Sequence, residues 1–127
     1  MNIAILGYGT VGSGVKEIVD HAVTKSTKQL HVSYILIRKG KEKTLPYMCD
    51  DIQTILNDTD VDVVVETMGG LEPAHTYILQ ALKSGKHVVT ANKAVIAAYL
   101  KEFTDTAREH NVRIYYEAST GGGIPWI

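Results

Sequence analysis

The sequence predicts an α/β fold, a doubly wound parallel sheet in a three-layer α/β/α arrangement. Short apolar runs alternate along the chain with stretches whose apolar residues recur at helical spacing. The strand-like runs carry almost no polar alternation, the pattern of strands covered on both faces. At 127 residues, the chain has the length of one domain, expected to span residues 1–127.

Asn2 to Leu6 reads as a buried strand. Val11, Val15, Ile18, Val19 and Ala22 then mark one face of a helix. Val32 to Ile37 is a second strand, rich in Val, Tyr and Ile. A third strand near Thr44 to Met48 is expected to be short, and Pro46 makes it an edge strand or no strand. Asp50 or Asp51 caps a short helix through Leu56, which Asn57-Asp58 ends. Val61 to Val65 is a strand. Pro73 suits a first helical turn, with Ile78, Leu79 and Leu82 following at helical spacing and Gly85 as the left-handed stop. A strand at His87 to Val89, a helix from Lys93 to about His110 and a strand at Val112 to Tyr116 complete the pattern.

Acidic and basic residues nearly cancel, 14 against 13, so neither nucleic acid nor an anionic membrane is an expected partner. The single cysteine, Cys49, excludes an internal disulfide and a cysteine-built metal site. The five histidines are scattered, with no pairing at metal-ligand spacing, and read as structural or surface residues. The tyrosines, Tyr115 and Tyr116 included, read as packing residues. No secretory leader or membrane-spanning run is visible, which makes the cytoplasm the expected location.

Gly7-Tyr8-Gly9-Thr10-Val11-Gly12 is G-x-G-x-x-G, placed after an apolar strand and opening an amphipathic helix. That context gives each glycine a reason in a Rossmann-type dinucleotide site. Gly7 permits the tight turn, Gly9 leaves room for a pyrophosphate, and Gly12 lets the helix pack close to the sheet. Free amide N–H groups and the helix dipole would hold the phosphates. No Gly-Lys-Ser/Thr follows, so this is not a nucleoside-triphosphate loop.

An NAD-specific domain usually ends its second strand with a carboxylate for the ribose 2′-hydroxyl. Here that strand runs into Arg38-Lys39-Gly40-Lys41, and the first carboxylate is Glu42. Basic groups at this edge suit the 2′-phosphate of NADP, Arg38 in bidentate fashion. NADP is therefore the expected coenzyme, with NAD as the alternative; a solvated charge run is the competing explanation of these residues.

Three further segments each fall just past a strand's carboxyl end: Val63-Val64-Val65-Glu66-Thr67-Met68-Gly69-Gly70, Gly85-Lys86-His87-Val88-Val89-Thr90-Ala91-Asn92-Lys93-Ala94, and Glu117-Ala118-Ser119-Thr120-Gly121-Gly122-Gly123-Ile124-Pro125. In this order and spacing the chain resembles the N-terminal cofactor domain of homoserine dehydrogenases. The Thr-Ala-Asn-Lys and Glu-Ala-x-x-Gly-Gly-Gly-Ile-Pro segments carry most of that resemblance. It implies an oxidoreductase of amino-acid biosynthesis, leading to threonine, methionine and isoleucine, that reduces aspartate semialdehyde to homoserine with NADPH or NADH. It implies that Gly7, Tyr8, Gly9, Thr10, Val11 and Gly12 cradle the pyrophosphate and that Arg38 and Lys39 lie near the adenosine ribose. Thr67, Met68 and Gly69 would pass beneath the nicotinamide half, Ser119 would join the cofactor site, and Lys93 would stand where nicotinamide and substrate meet. Asn92 suits the cap of the helix presenting Lys93, a cation that opposes the dipole at that end. The resemblance also implies a monovalent cation such as sodium, held by Glu117 and by backbone carbonyls of Thr120, Gly122 and Ile124.

The family's general acid is a lysine of a substrate domain that follows the Gly-Ile-Pro segment, whereas this sequence stops at Trp126-Ile127. No catalytic acid can be assigned within the chain. The expectation is an excised cofactor domain with negligible turnover on its own, and a homo-oligomer when full length. Two alternatives remain open: the cofactor domain of another semialdehyde or amino-acid dehydrogenase, and a stand-alone nucleotide-sensing Rossmann module. The basic end of the second strand and the terminal glycine-rich loop argue against the sensor.

Overall fold

The fold was established from a computed structural model, which describes residues 1–7, 31–43 and 45–116. The elements are β1 (Asn2–Leu6), β2 (His31–Leu36), β3 (Met48–Cys49), α1 (Ile52–Leu56), β4 (Val63–Glu66), α2 (Ala74–Lys83), β5 (His87–Thr90), α3 (Lys93–Glu109) and β6 (Ile114–Tyr116). The helix expected from Val11 to Ala22 lies outside the described residues.

The six strands among the described residues pair in parallel, in the order β3-β2-β1-β4-β5-β6. The order reverses at β1: the chain first steps outward to β2 and β3, then returns beside β1 and steps the other way. Right-handed crossovers on the two sides of such a reversal put their connections on opposite faces. Both faces are accordingly buried. On one, Ala4, Leu6, Leu36, Val64 and Val88 pack with Ile55, Ile78, Leu82, Val95 and Phe103 of the three helices. On the other, Ile3, Ile5, Ile35, Ile37, Met48, Val63, Val65 and Val89 form a second core, none more than 9% exposed. This is the expected three-layer α/β/α sheet.

Local chemistry sets the boundaries. Asp51 caps α1 through a bond accepted from the Gln53 amide at 2.9 Å, and Asn57 ends it. Helix α2 begins directly after Pro73 and closes in a Schellman turn: Gly85, at φ +82°, donates to the Leu82 carbonyl, and the Lys86 amide to that of Ala81. Helix α3 ends the same way, with Asn111 in the left-handed position. The third strand comes later than expected, at Met48–Cys49, past Pro46 rather than across it. Proline removes a ladder donor, so pairing with β2 starts only beyond it. The fourth strand is likewise displaced, from the expected 61–65 to Val63–Glu66.

Candidate functional site

Register brings the strand ends level. Leu36, Leu6, Glu66, Thr90 and Tyr116 form one row across the sheet at its carboxyl edge. The reversal in strand order opens a crevice there, the usual ligand position in open α/β sheets.

At the crevice, β1 and β4 run into turns that touch. Gly7 has φ +100°, and its amide donates to the Leu36 carbonyl at 2.9 Å. A β-carbon on Gly7 would lie 3.0 Å from Met68 Cγ and 3.1 Å from Thr67 Oγ1. Glycine is thus required twice, for its backbone conformation and for the closeness of the next loop. Thr67 fixes that closeness by donating from its hydroxyl to the Leu6 carbonyl at 2.8 Å and from its amide to the same oxygen at 3.0 Å. Gly69 and Gly70 follow at φ +77° and +70°.

A cleft of about 660 Å³ lies over these turns. It is lined by Gly7, Thr67, Met68 and Gly69 of the two turns, by Arg38, Lys39 and Lys41 after β2, and by Asp50, Glu72, Pro73 and Tyr77. The three cations are exposed and follow directly from β2. Glu72 is held below the usual carboxylate range by hydrogen bonds from the Thr76 hydroxyl and from His75.

The second polar feature is buried. The Glu66 side chain is 0% exposed. Its Oε2 accepts from the amides of Met68 at 2.8 Å and Gly69 at 3.2 Å, and its Oε1 from the Thr90 hydroxyl. Thr90 Oγ1 in turn accepts from the Asn92 amide at 3.0 Å. Asn92 caps α3 as expected, accepting from the Val95 amide at 3.2 Å, and its side-chain amide donates to the Gly70 carbonyl at 2.6 Å. Lys93, the first residue of α3, is exposed at this junction.

The structure therefore brings Gly7, Arg38, Lys39, Thr67, Met68 and Gly69 around one cleft. Lys93 is not among the residues lining it; its neighbour Asn92 is bonded to the carbonyl of Gly70, one residue past the lining residue Gly69. Tyr8, Gly9, Thr10, Val11, Gly12, Glu117, Ser119, Thr120, Gly122 and Ile124 lie outside the described residues. Among the described residues no group of three or more His, Cys, Asp or Glu could hold a metal ion, and no helix is long and apolar enough to cross a membrane. The sequence places Glu66 within a motif without giving it a task and gives no sign of Glu72 and Tyr77 at the cleft, whereas Lys41 lies there as part of the expected basic run. Parity was the available signal for Glu66: it shares a sheet face with Val64, so a carboxylate there enters the core side.

Comparison with known proteins gives a consistent result. The family described as "Homoserine dehydrogenase, NAD binding domain" matches residues 7–117. The homoserine dehydrogenase of Synechocystis sp. is 45% identical over 134 residues, an alignment covering 100% of this chain and 31% of that protein. The crystal structure of the Thiobacillus denitrificans homoserine dehydrogenase superposes with a TM-score of 0.81 at 33% identity, covering 99% of this chain and 31% of that one. A hyperthermophilic archaeal homoserine dehydrogenase, solved in complex with NADPH, superposes with a TM-score of 0.73 at 27% identity, over 92% of this chain and 43% of that one. The chain thus spans about a third of the length of the curated relatives it matches.

Proposed function

The chain belongs to the homoserine dehydrogenase family, in which it corresponds to the NAD-binding domain, and from that premise we propose that it binds NADPH in the crevice at the carboxyl edge of its sheet. The observation that carries the coenzyme choice is the end of β2: Arg38, Lys39 and Lys41 reach the cleft where an NAD-specific site would place a carboxylate. The residues present fit the group. The cleft is cationic on its β2 side, and the Gly7 and Gly69 turns offer backbone without side chains on the β1 and β4 side.

In this reading Arg38 and Lys39 pair with the 2′-phosphate and Gly7 begins the phosphate turn that Tyr8, Gly9, Thr10, Val11 and Gly12 continue. Thr67, Met68 and Gly69 lie beneath the nicotinamide half, with Ser119 and Lys93 completing the site. Glu117, with the carbonyls of Thr120, Gly122 and Ile124, holds a monovalent cation such as sodium. When bound, the nicotinamide supplies hydride chemistry. The chain's own contribution is to fix the dinucleotide across the strand-order reversal. Together with a substrate domain, which would carry the catalytic acid, it would reduce aspartate semialdehyde to homoserine, the full-length enzyme being a homo-oligomer in the cytoplasm. Residues 1–127 constitute the dinucleotide-binding domain.

Calorimetric titration with NADPH and NADH tests the reading. NADPH is expected to bind more tightly. Arg38→Ala is expected to weaken NADPH by about tenfold or more, the loss of a charge-assisted bidentate contact, while leaving NADH nearly unchanged. Binding of neither coenzyme would reject the assignment; an unchanged NADPH affinity in Arg38→Ala would reject the NADP preference.

A further inference from the structure

We infer that Glu66 is a positioning residue for the nicotinamide half of the dinucleotide. Together with Thr90 and Asn92 it locks the 67–70 loop to the start of α3, making the two segments one rigid surface. The inference rests on the coenzyme reading above and gives that site a part that neither the family resemblance nor the sequence assigned.

Its first support is placement. Glu66 and Thr90 occupy the row in which Leu6 and Leu36 are apolar, on the sheet face that packs against the helices. A valine at either position would extend the core. A fully buried carboxylate there instead carries a large desolvation cost, which persists only where hydrogen bonds offset it.

The second support is direction. The Asn92 amide donates to Thr90, the Thr90 hydroxyl donates to Glu66, and the Met68 and Gly69 amides donate to the other Glu66 oxygen. Every partner of the carboxylate donates to it, so the position suits a side chain that offers two accepting oxygens. The bond from the Asn92 side chain to the Gly70 carbonyl closes the circuit. Loop and helix start are therefore joined at both ends of the loop. In a doubly wound sheet a dinucleotide straddles the strand-order reversal. The basic end of β2 lies on one side of it, and the Glu66 circuit, between β4 and β5, on the other. Breaking the circuit should affect only what binds on the second side.

The experiment compares NADPH with 2′,5′-ADP, which carries the adenosine half alone, on the 127-residue chain. Thr90→Val keeps the shape and removes the relay hydroxyl. Glu66→Gln keeps the shape but has one accepting oxygen in place of two, so either the Thr90 hydroxyl or the pair of loop amides loses its acceptor. Each variant is expected to weaken NADPH by about tenfold while 2′,5′-ADP stays within about twofold. Thr90→Ser, which restores the hydroxyl, is expected to return NADPH affinity to within about twofold of the starting chain. A role confined to overall stability would move both ligands together or neither, and that result overturns the proposal. So does an NADPH loss that Thr90→Ser fails to rescue. If the unaltered chain binds 2′,5′-ADP but not NADPH, the coenzyme reading itself fails and takes this inference with it. Should Glu66→Gln not fold, the Thr90 pair alone decides.

Discussion

Among the described residues each edge of the sheet buries one charged side chain, and the two are used in opposite ways. At the carboxyl edge Glu66 accepts from backbone amides and holds a loop beside an open cleft. At the amino edge Lys86, 3% exposed, donates from Nζ to the carbonyls of Asp58 at 2.7 Å and Val61 at 3.2 Å. Lys86 also lines a pocket of about 390 Å³, smaller than the cleft at the other edge, but its polar contacts and those of its neighbours are made within the chain. The Tyr34 hydroxyl donates to Asp58 at 2.7 Å, which together with the Asp60 amide holds that carboxyl below its usual range. The Asn2 amide donates to Asp62 at 2.8 Å, and the Asn2 side chain to the Asp60 carbonyl. One edge spends its polar groups on fastening the chain to itself. The other leaves cations and glycine turns facing a cavity. Binding and stability are therefore separable along the strand axis.

The largest effect expected to test that separation is at Gly7, a position where both demands coincide. Gly7→Ala puts a methyl into a φ of +100° and against Met68 and Thr67. A loss of about 2–4 kcal/mol by urea denaturation is expected, with NADPH binding weakened in parallel because the 67–70 loop must shift. A variant as stable as the starting chain would show that the two turns do not meet as described. Next in size is Lys86→Met, which leaves two carbonyls without their shared donor and is expected to cost about 1–2 kcal/mol. NADPH affinity should not change, since the substitution lies at the far edge. Burial holds the Lys86 pKa below its ordinary 10.5. The unfolded chain therefore binds the proton more readily between that lowered value and 10.5, so stability rises with pH across the window. Lys86→Met should lack that rise, and a shared alkaline slope in both proteins would count against a buried ammonium.

How much of this was legible in the sequence depends on how local each feature is. The strand β1, the Asn92 cap and the Gly85 stop were readable because each depends on residues within a few positions, and the cap of α1 was readable as Asp50 or Asp51, of which the structure uses Asp51. The Gly7 turn was readable for its backbone; its second reason, the approach of Thr67 and Met68, comes from strands adjacent in space only. Two of the displaced strands follow from tertiary pairing: β3 waits until β2 is beside it, and β4 starts where β1 can pair with it. Glu66 follows three valines, just past the strand expected at 61–65, and had no task in the sequence, because its donors Thr90 and Gly69 converge only once β5 lies next to β4. The change of backbone at Tyr99, φ −132° inside α3, had no sequence signal either: neither proline nor glycine is present there. It coincides with His75 stacked on the Tyr99 ring at 3.7 Å.

That histidine supplies the smallest expected effect and a third case for the comparison, since its partner Glu72 lines the cleft. Its ring nitrogens lie against Glu72 at 3.1 Å and against Glu102 of α3, with Tyr99 and Phe103 on its other sides. Burial alone would lower its pKa, but the bonds to Glu102 and Glu72 outweigh it and the pKa is raised above 6.5. The folded chain thus holds the proton more tightly, so the clamp's contribution is complete below pH 6.5 and fades as pH rises through the raised value. Against His75→Gln, the starting chain should melt about 3 °C higher or less at pH 5.5, the difference shrinking as the solution becomes alkaline. A difference that persisted undiminished at pH 9 would mean that the neutral stack on Tyr99, rather than the pair of carboxylates, holds α2 to α3. The contacts at the cleft would then be as insensitive to charge as the apolar core beneath them.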